Sequence, residues 1–207
     1  MRLIRRRDHR RTPWKNDRGE TVELAAAPDP ADRDGFAWRV SLAEIADSAP
    51  FSPFPAVDRT FALVAGGPLR LRAGDALPVE LAAGSPPLSF PGDVATEAWL
   101  LGPPALALNV MTRRGRFTHR LTRHELAPGD ALQVASGPAL LLCGAGAVEV
   151  ATPTVATLAA LDSLVMEASD PPCRLRAGSA ATVYLALVRA GPVTAETGTS
   201  GRGPWPP

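Results

Sequence analysis

Proline and glycine interrupt this chain so often that helices have almost no room. Of 207 residues, 22 are proline and 18 are glycine, scattered along the whole length. Proline inside a helix removes a backbone donor and clashes with the preceding turn, so few intervening segments could sustain a helix. Between the breaks, apolar residues alternate with period two. FAWRVSL places Phe36, Trp38, Val40 and Leu42 on one face and Ala37, Arg39 and Ser41 on the other, the pattern of a half-buried strand. Further strands are expected in TVELA from Thr21, RTFALV from Arg59, TEAWLL from Thr96, LNVMTR from Leu108 and RFTHRL from Arg116, and later in ALLLC, AVEVA and ATVYLALV. Many short strands divided by Gly/Pro turns predict an all-β sandwich or barrel.

The chain also echoes itself. AGDALPVELAAGSP from Ala73 and PGDALQVASGP from Pro128 share a Gly-Asp-Ala-Leu tetrad, and LDSLVMEASDPP from Leu161 is a weaker third version. Each reads as a tight Gly-Asp turn feeding a strand, and the spacing suggests a repeated β-sheet module. Residues 191–207 lack apolar periodicity and are expected to form a disordered tail after a single domain spanning 1–190.

Charge narrows the function. The net charge is +1, which argues against a general nucleic-acid binder. The arginines at 2, 5, 6, 7, 10 and 11 read as a solvated edge. No apolar h-region follows them, and no apolar run reaches the ~18 residues needed to span a bilayer. Cys143 ends an apolar run and reads as packing. Cys173 follows Pro171-Pro172 in an expected turn, so a disulfide stays open, but the pair makes no metal or redox motif. A reducing cytoplasm fits this usage.

Catalytic signatures are sparse. There is no Gly-x-Ser-x-Gly and no Walker loop, and GAGAVEV at Gly144 supplies only half of a dinucleotide fingerprint. His119 and His124 invite a metal reading with Glu125, yet an odd spacing puts them on opposite faces of a regular strand. No catalytic residue, metal or cofactor is assigned.

Polar residues inside apolar segments are more informative. Asn109 lies between Leu108 and Val110; a buried amide without partners costs roughly 1–3 kcal/mol, so it either bonds backbone across a loop or faces a cavity. Arg59 follows the stiff stretch FSPFPAV. It either pins that loop through Asp58 or acts as a ligand clamp, and the opposite direction of Asp58 on a strand favours the clamp. Arg39, beside Ser41, is an alternative clamp. Lys15-Asn16-Asp17-Arg18-Gly19 reads as a turn or as the rim of a polar site. Arg113, Arg114 and Arg116 read as a solvated turn.

Taken together, PWKNDRGET, FAWRVSLAEIADSAPFSPFPAVDRTFALVAGG, SFPGD and LNVMTRRG, in this order, resemble the HutD/Ves family of bacterial cupin-like proteins. The resemblance covers roughly residues 1–190 and is most specific in FSPFPAVDRT. It implies a cupin-like double β-barrel of the bicupin type, with few or no helices. It implies a metal-independent binder of a carboxylate metabolite, urocanate or a formylated glutamate derivative, that modulates histidine utilisation. An isomerase or lyase on the same scaffold, with His119 or His124 as base, is the alternative. The implied ligand-binding residues are Asn16, Thr21, Arg39, Ser41, Ser52, Phe54, Arg59, Asn109 and Met111. The expected partners are that metabolite and a second copy of the chain in a homodimer, with neither nucleic acid nor membrane. The chain departs from the family pattern where Asp17 and Arg18 replace glycines, where Ala56 stands for a common Gly, and where Ala107 stands for a common Asp.

Overall fold

The computed structural model describes residues 1–13, 19–29, 32–151 and 155–191. Its strands are β1 (Arg2–Ile4), β2 (Arg11–Pro13), β3 (Gly19–Asp29), β4 (Asp32–Ile45), β5 (Ala49–Pro50), β6 (Val57–Gly66), β7 (Leu69–Ala73), β8 (Val79–Leu81), β9 (Leu88–Pro91) and β10 (Thr96–Leu100). They continue with β11 (Ala105–Arg113), β12 (Phe117–Leu126), β13 (Ala131–Val134), β14 (Ala139–Ala145), β15 (Ala147–Ala151), β16 (Val155–Ala159), β17 (Ser163–Met166), β18 (Cys173–Ala177) and β19 (Ala181–Ala190). Among the described residues the one helical element is a 3-10 turn at Arg6–Asp8. The all-β expectation holds.

Four antiparallel sheets stack on three apolar cores. The first, in the order β5-β10-β7-β8, faces the second, β2-β3-β4-β11-β6-β9. Ile45, Phe61, Leu63, Leu69, Leu71 and Ala107 fill the space between them. The opposite face of the second sheet, through Val40, Leu42, Ala62 and Val110, packs on Leu140, Leu142, Tyr184 and Ala186 of the third sheet, β1-β17-β14-β19-β12. The third sheet in turn covers the fourth, β13-β18-β15-β16, with Leu141, Val183, Val150 and Leu175 among the contacts. Strands in the two middle sheets are therefore apolar on both faces, as in Phe61-Ala62-Leu63-Val64 and Leu140-Leu141-Leu142. Among the described residues no sheet closes on itself: each remains an open ladder with its own edge strands, so the expected pair of barrels is seen as two facing sheet pairs.

The chain start crosses between the halves. β1 pairs with β17, and Asp162, just before β17, accepts bonds from the Arg5 guanidinium and the Arg6 amide, both at 2.8 Å. Burial alone would raise the Asp162 carboxyl, but these donors hold it below its ordinary value. Arg11 pairs with Glu20 and Glu44, each at 2.9 Å. The expected solvated edge is thus tied down at Arg5 and Arg11, while Arg2, Arg6, Arg7 and Arg10 stay exposed.

The sequence echo is an echo of turns. Gly74 and Gly129 take φ of +59° and +92°, and Leu161, in the matching position of the third version, takes +69°. The amides of Gly129 and Leu161 bond Ala177 O at 2.8 Å and Cys143 O at 2.6 Å, and the return bonds run from Ala177 N to Asp130 O and from Cys143 N to Asp162 O, both at 3.0 Å. Both cysteines are buried and free. Cys173 opens β18 rather than sitting in a turn. No helix among the described residues is long and apolar enough to cross a membrane. The expected tail, from residue 192 onward, lies outside the described residues.

Candidate functional site: two guanidinium groups on one sheet face

β4, β11 and β6 lie side by side, and their registers set a small grid. Arg39 is opposite Met111, which is opposite Arg59; Ser41 is opposite Asn109, which is opposite Phe61. Residues in register share a face, so Arg39, Ser41, Asn109, Met111 and Arg59 all point toward the first sheet, on a floor that includes Phe61 and Ala107. With strands ~4.8 Å apart, the two arginine Cα atoms are separated by about 10 Å.

Arg59 is 7% exposed. Its Nε and one terminal nitrogen donate to Asn109 Oδ1 at 2.9 and 2.6 Å. Its guanidinium carbon lies 4.5 Å from the centre of the Phe51 ring and 5.5 Å from that of Phe90. Arg39 is held similarly, 4.6 Å from the Phe36 ring and 5.2 Å from the Phe54 ring. A terminal nitrogen of Arg39 approaches Met111 Sδ at 3.6 Å, and its buried Nε has no partner among the described residues. Phe36 and Phe54 pack on each other at 5.9 Å.

Neither guanidinium has a carboxylate within 4 Å among the described residues. Asp58, beside Arg59 in sequence, instead accepts from Arg114 at 2.9 Å, and Arg114 also reaches Asp93 at 3.1 Å. The pinned-loop alternative for Asp58 and Arg59 is thereby excluded. Burial, with added repulsion from Arg39, pushes Arg59 down to about 9. Burial also lowers Arg39, against the attraction of Glu23. Both groups remain cationic near neutral pH. A buried cation facing only ring faces and one neutral amide is far from compensated: each cation–π contact is worth ~0.5–2 kcal/mol, less than the several kcal/mol of desolvation. The Asn109 amide nitrogen and the Ser41 hydroxyl, 2% and 3% exposed as residues, donate to no described residue. The described site is therefore rich in donors, with exposed Glu23, opposite Ser41, acting on Arg39 only at a distance, a composition suited to a small anion.

Several sequence expectations change in detail. Asn109 bonds a side chain, Arg59, rather than backbone. Phe36 was expected beside Trp38, but the β3–β4 register slips so that Ala27 faces Trp38 and Pro28 faces Phe36. The extra residue, Ala37, is a bulge that brings the Phe36 ring to Arg39. Arg113 and Arg116 both pair with Asp29, and with Arg114 they form an ion-paired knot instead of a free solvated turn. Ser52 is exposed in the loop between Phe51 and Phe54. Thr21, half-buried, shares the face but is opposite Ala43, away from the arginines. Asn16 lies outside the described residues, as do Asp17 and Arg18. Phe51 and Phe90, which hold Arg59, were not singled out; both lie in the motif blocks FSPFP and SFPGD. Ala56 adopts φ +55° in the turn before β6.

His119 occupies the other side of the same strands. Its Nε2 lies 2.8 Å from Thr60 Oγ1 and its Nδ1 lies 2.7 Å from Thr112 Oγ1. Thr60 also bonds Ser89 at 2.7 Å. β12 pairs with β19 without a slip, so His124 points away from His119, as their spacing requires.

The chain as a whole is similar to known proteins. The HutD family model matches residues 6–185. The protein Ves of Citrobacter koseri is 42% identical over 104 residues, 50% of this chain and 53% of that protein; the alignment thus spans only about half the length of that relative. An uncharacterised 21.2 kDa protein in the hutC 3′ region of Pseudomonas putida is 30% identical over 82% of this chain and 88% of its own. Among solved structures, a conserved protein of unknown function from Pseudomonas aeruginosa PAO1 superimposes with a TM-score of 0.80 at 28% identity, covering 91% of this chain and 98% of that one. HutD from Pseudomonas fluorescens SBW25, in a formate condition, gives 0.77 at 22% identity with the same coverage. A cupin 2 conserved barrel domain protein from Leptotrichia buccalis gives 0.60 at 12% identity over 91% of this chain and 96% of its own, which places the fold among the cupins. With a family match over most of its length, the chain belongs to the HutD family.

Proposed function

We propose that this chain is a metal-independent receptor for a small carboxylate metabolite that acts in the cytoplasm, as a homodimer, to modulate histidine utilisation. The two sheet pairs then correspond to the two halves of a bicupin. One observation carries the reading: two guanidinium groups share one inner sheet face, and among the described residues no carboxylate pairs with either, Glu23 acting on Arg39 only from a distance. A protein stable enough to retain such uncompensated cations has a use for them, because charged groups buried without partners cost stability. The location of the Pseudomonas putida relative in a hutC 3′ region supports the pathway, and the formate condition of the Pseudomonas fluorescens structure supplies a simple probe of the ligand class.

The candidate ligands are urocanate and formylated glutamate derivatives. Two separate guanidinium groups favour the latter, which carry two carboxylates. One charge-assisted contact contributes about 1.5–3 kcal/mol, and micromolar affinity needs ~8 kcal/mol. Arg59 and Arg39 together, with the free donors of Asn109 and Ser41, approach that figure where Arg59 alone does not. The test is thermal unfolding with formate, urocanate, N-formyl-L-glutamate and formimino-L-glutamate. A ligand at 100 times its dissociation constant stabilises by ~2.7 kcal/mol, a rise of roughly 5–10 °C for a domain of this size. The expected result is a rise that disappears in Arg59→Ala; no rise with any of the four overturns the reading.

A further inference from the structure

The chain has three histidines, and one of them is wired to the back of the anion site. His119 comes from β12 in the third sheet but hydrogen-bonds across the sheet interface to Thr60 on β6 and Thr112 on β11. Thr60 follows Arg59 in the chain, and Thr112 follows Met111. The ring therefore bridges the two strands that carry Arg59, Asn109 and Met111, with roughly one sheet thickness, ~10 Å, between it and an anion on the far face. Among the described residues His9 hydrogen-bonds to neither strand, and His124 bonds Thr122 on its own strand at 2.8 Å.

We infer that an anion bound between Arg39 and Arg59 raises the proton affinity of His119, so that ligand binding takes up a proton and tightens as pH falls. This rests on the carboxylate-receptor reading above. The hydrogen-bond chain can hold either protonation state. With a neutral ring, one nitrogen accepts from a threonine hydroxyl while the other donates. With the cationic ring, both nitrogens donate; Thr60 then accepts from the ring and donates its own hydroxyl hydrogen bond to the exposed Ser89. Protonation thus reverses the direction of a chain that ends in solvent, and no bond is broken.

The charges around the ring leave it free to respond. Asp58, on β6, is the charged group that acts on it and favours its protonation, yet that carboxylate is shared with Arg114 from the turn after β11. β9 contributes Ser89, β11 contributes Thr112, and β19 contributes Val188 opposite the histidine; none of these is charged. Burial disfavours the cationic ring. Arg59 stays cationic throughout. Interaction of unit charges ~10 Å apart through protein and screened by water corresponds to about a three- to tenfold change in affinity, and by reciprocity the same factor appears in the histidine equilibrium.

The experiment uses the full chain and sodium formate, whose own ionisation lies well below the range studied. His119 ring resonances are titrated by NMR with and without saturating formate, and formate affinity is measured at pH 8.0, 7.0, 6.0 and 5.5. The expected result is a formate-dependent rise in the His119 midpoint and affinity that tightens as pH falls from 8.0 to 5.5, by up to about three- to tenfold. In His119→Gln, affinity at pH 8.0 is expected to match the parent and to be flat with pH. If formate binds but the midpoint and the affinity do not move together, the coupling is wrong while the receptor reading stands. If formate fails to bind at every pH, the anion site is wrong and the coupling falls with it.

Discussion

Arg59 gives two hydrogen bonds to a single oxygen, Asn109 Oδ1, at 2.9 and 2.6 Å. A carboxylate would accept such a fork with both oxygens; the amide accepts with one and brings no charge. The pair thus orients the guanidinium without neutralising it, which is the arrangement a binding site for an anion requires.

The first prediction concerns the cost of that orientation. Arg59→Met removes an almost fully buried cation and keeps an unbranched apolar stem between Phe51 and Phe90. The apoprotein is expected to stay within about 1 kcal/mol of the parent, since the gain from removing a buried charge is offset by the cost of leaving Asn109 Oδ1 without its donors, and to lose all ligand-dependent stabilisation. Equilibrium urea unfolding with and without N-formyl-L-glutamate measures both. A loss of more than ~2 kcal/mol in the apoprotein would show that Arg59 is structural.

Asn109→Asp supplies the missing charge in nearly the same volume. The new carboxylate pairs with Arg59 and competes with the ligand. Expected are an apoprotein at least as stable as the parent and affinity weakened tenfold or more, read by titration calorimetry. Unchanged affinity would mean the ligand does not approach Arg59.

Ala56 occupies the left-handed region at φ +55°, in the turn whose carbonyl receives the Arg114 amide at 2.8 Å. An L-residue there costs roughly 1–2 kcal/mol, and glycine does not; the more flexible unfolded chain returns ~0.4–1 kcal/mol of that. Ala56→Gly is therefore expected to stabilise by about 0.5–1 kcal/mol, a rise of ~1–4 °C in Tm. A lower Tm would indicate that the Ala56 methyl makes packing the turn depends on.

Stability should fall on mild acidification. Burial lowers His119, His9 and His124 from their ordinary value, partly opposed at His119 by Asp58 and at His9 mainly by Asp162. Each histidine then contributes stability that is present above about pH 6.5 and lost as pH drops through its folded value, with a slope of at most ~1.4 kcal/mol per pH unit per group. Thermal unfolding between pH 7.5 and 5.5 should show a declining Tm and a shallower decline in His119→Gln. A Tm that is level or rising over this range contradicts the assignment of these rings as buried and neutral.

Period-two patterning and proline spacing were enough to determine an all-β chain, most of its strands, and a Gly-Asp turn used more than once, because these depend on local sterics and on which residues can leave water. The direction of Asp58 away from Arg59 was legible for the same reason: alternate residues of a strand point to opposite faces. Only the tertiary structure decided what those faces meet. The bulge at Ala37 depends on how β3 and β4 pair, so the swing of Phe36 onto Arg39 had no signature in FAWRVSL. The pairing of Arg114 with Asp58 and Asp93, and the bridge from His119 to Thr60 and Thr112, join residues from separate strands and loops. That no carboxylate among the described residues pairs with Arg59 could not be read along the chain at all, since charge compensation is a property of three-dimensional neighbours, and the register of three strands selects them.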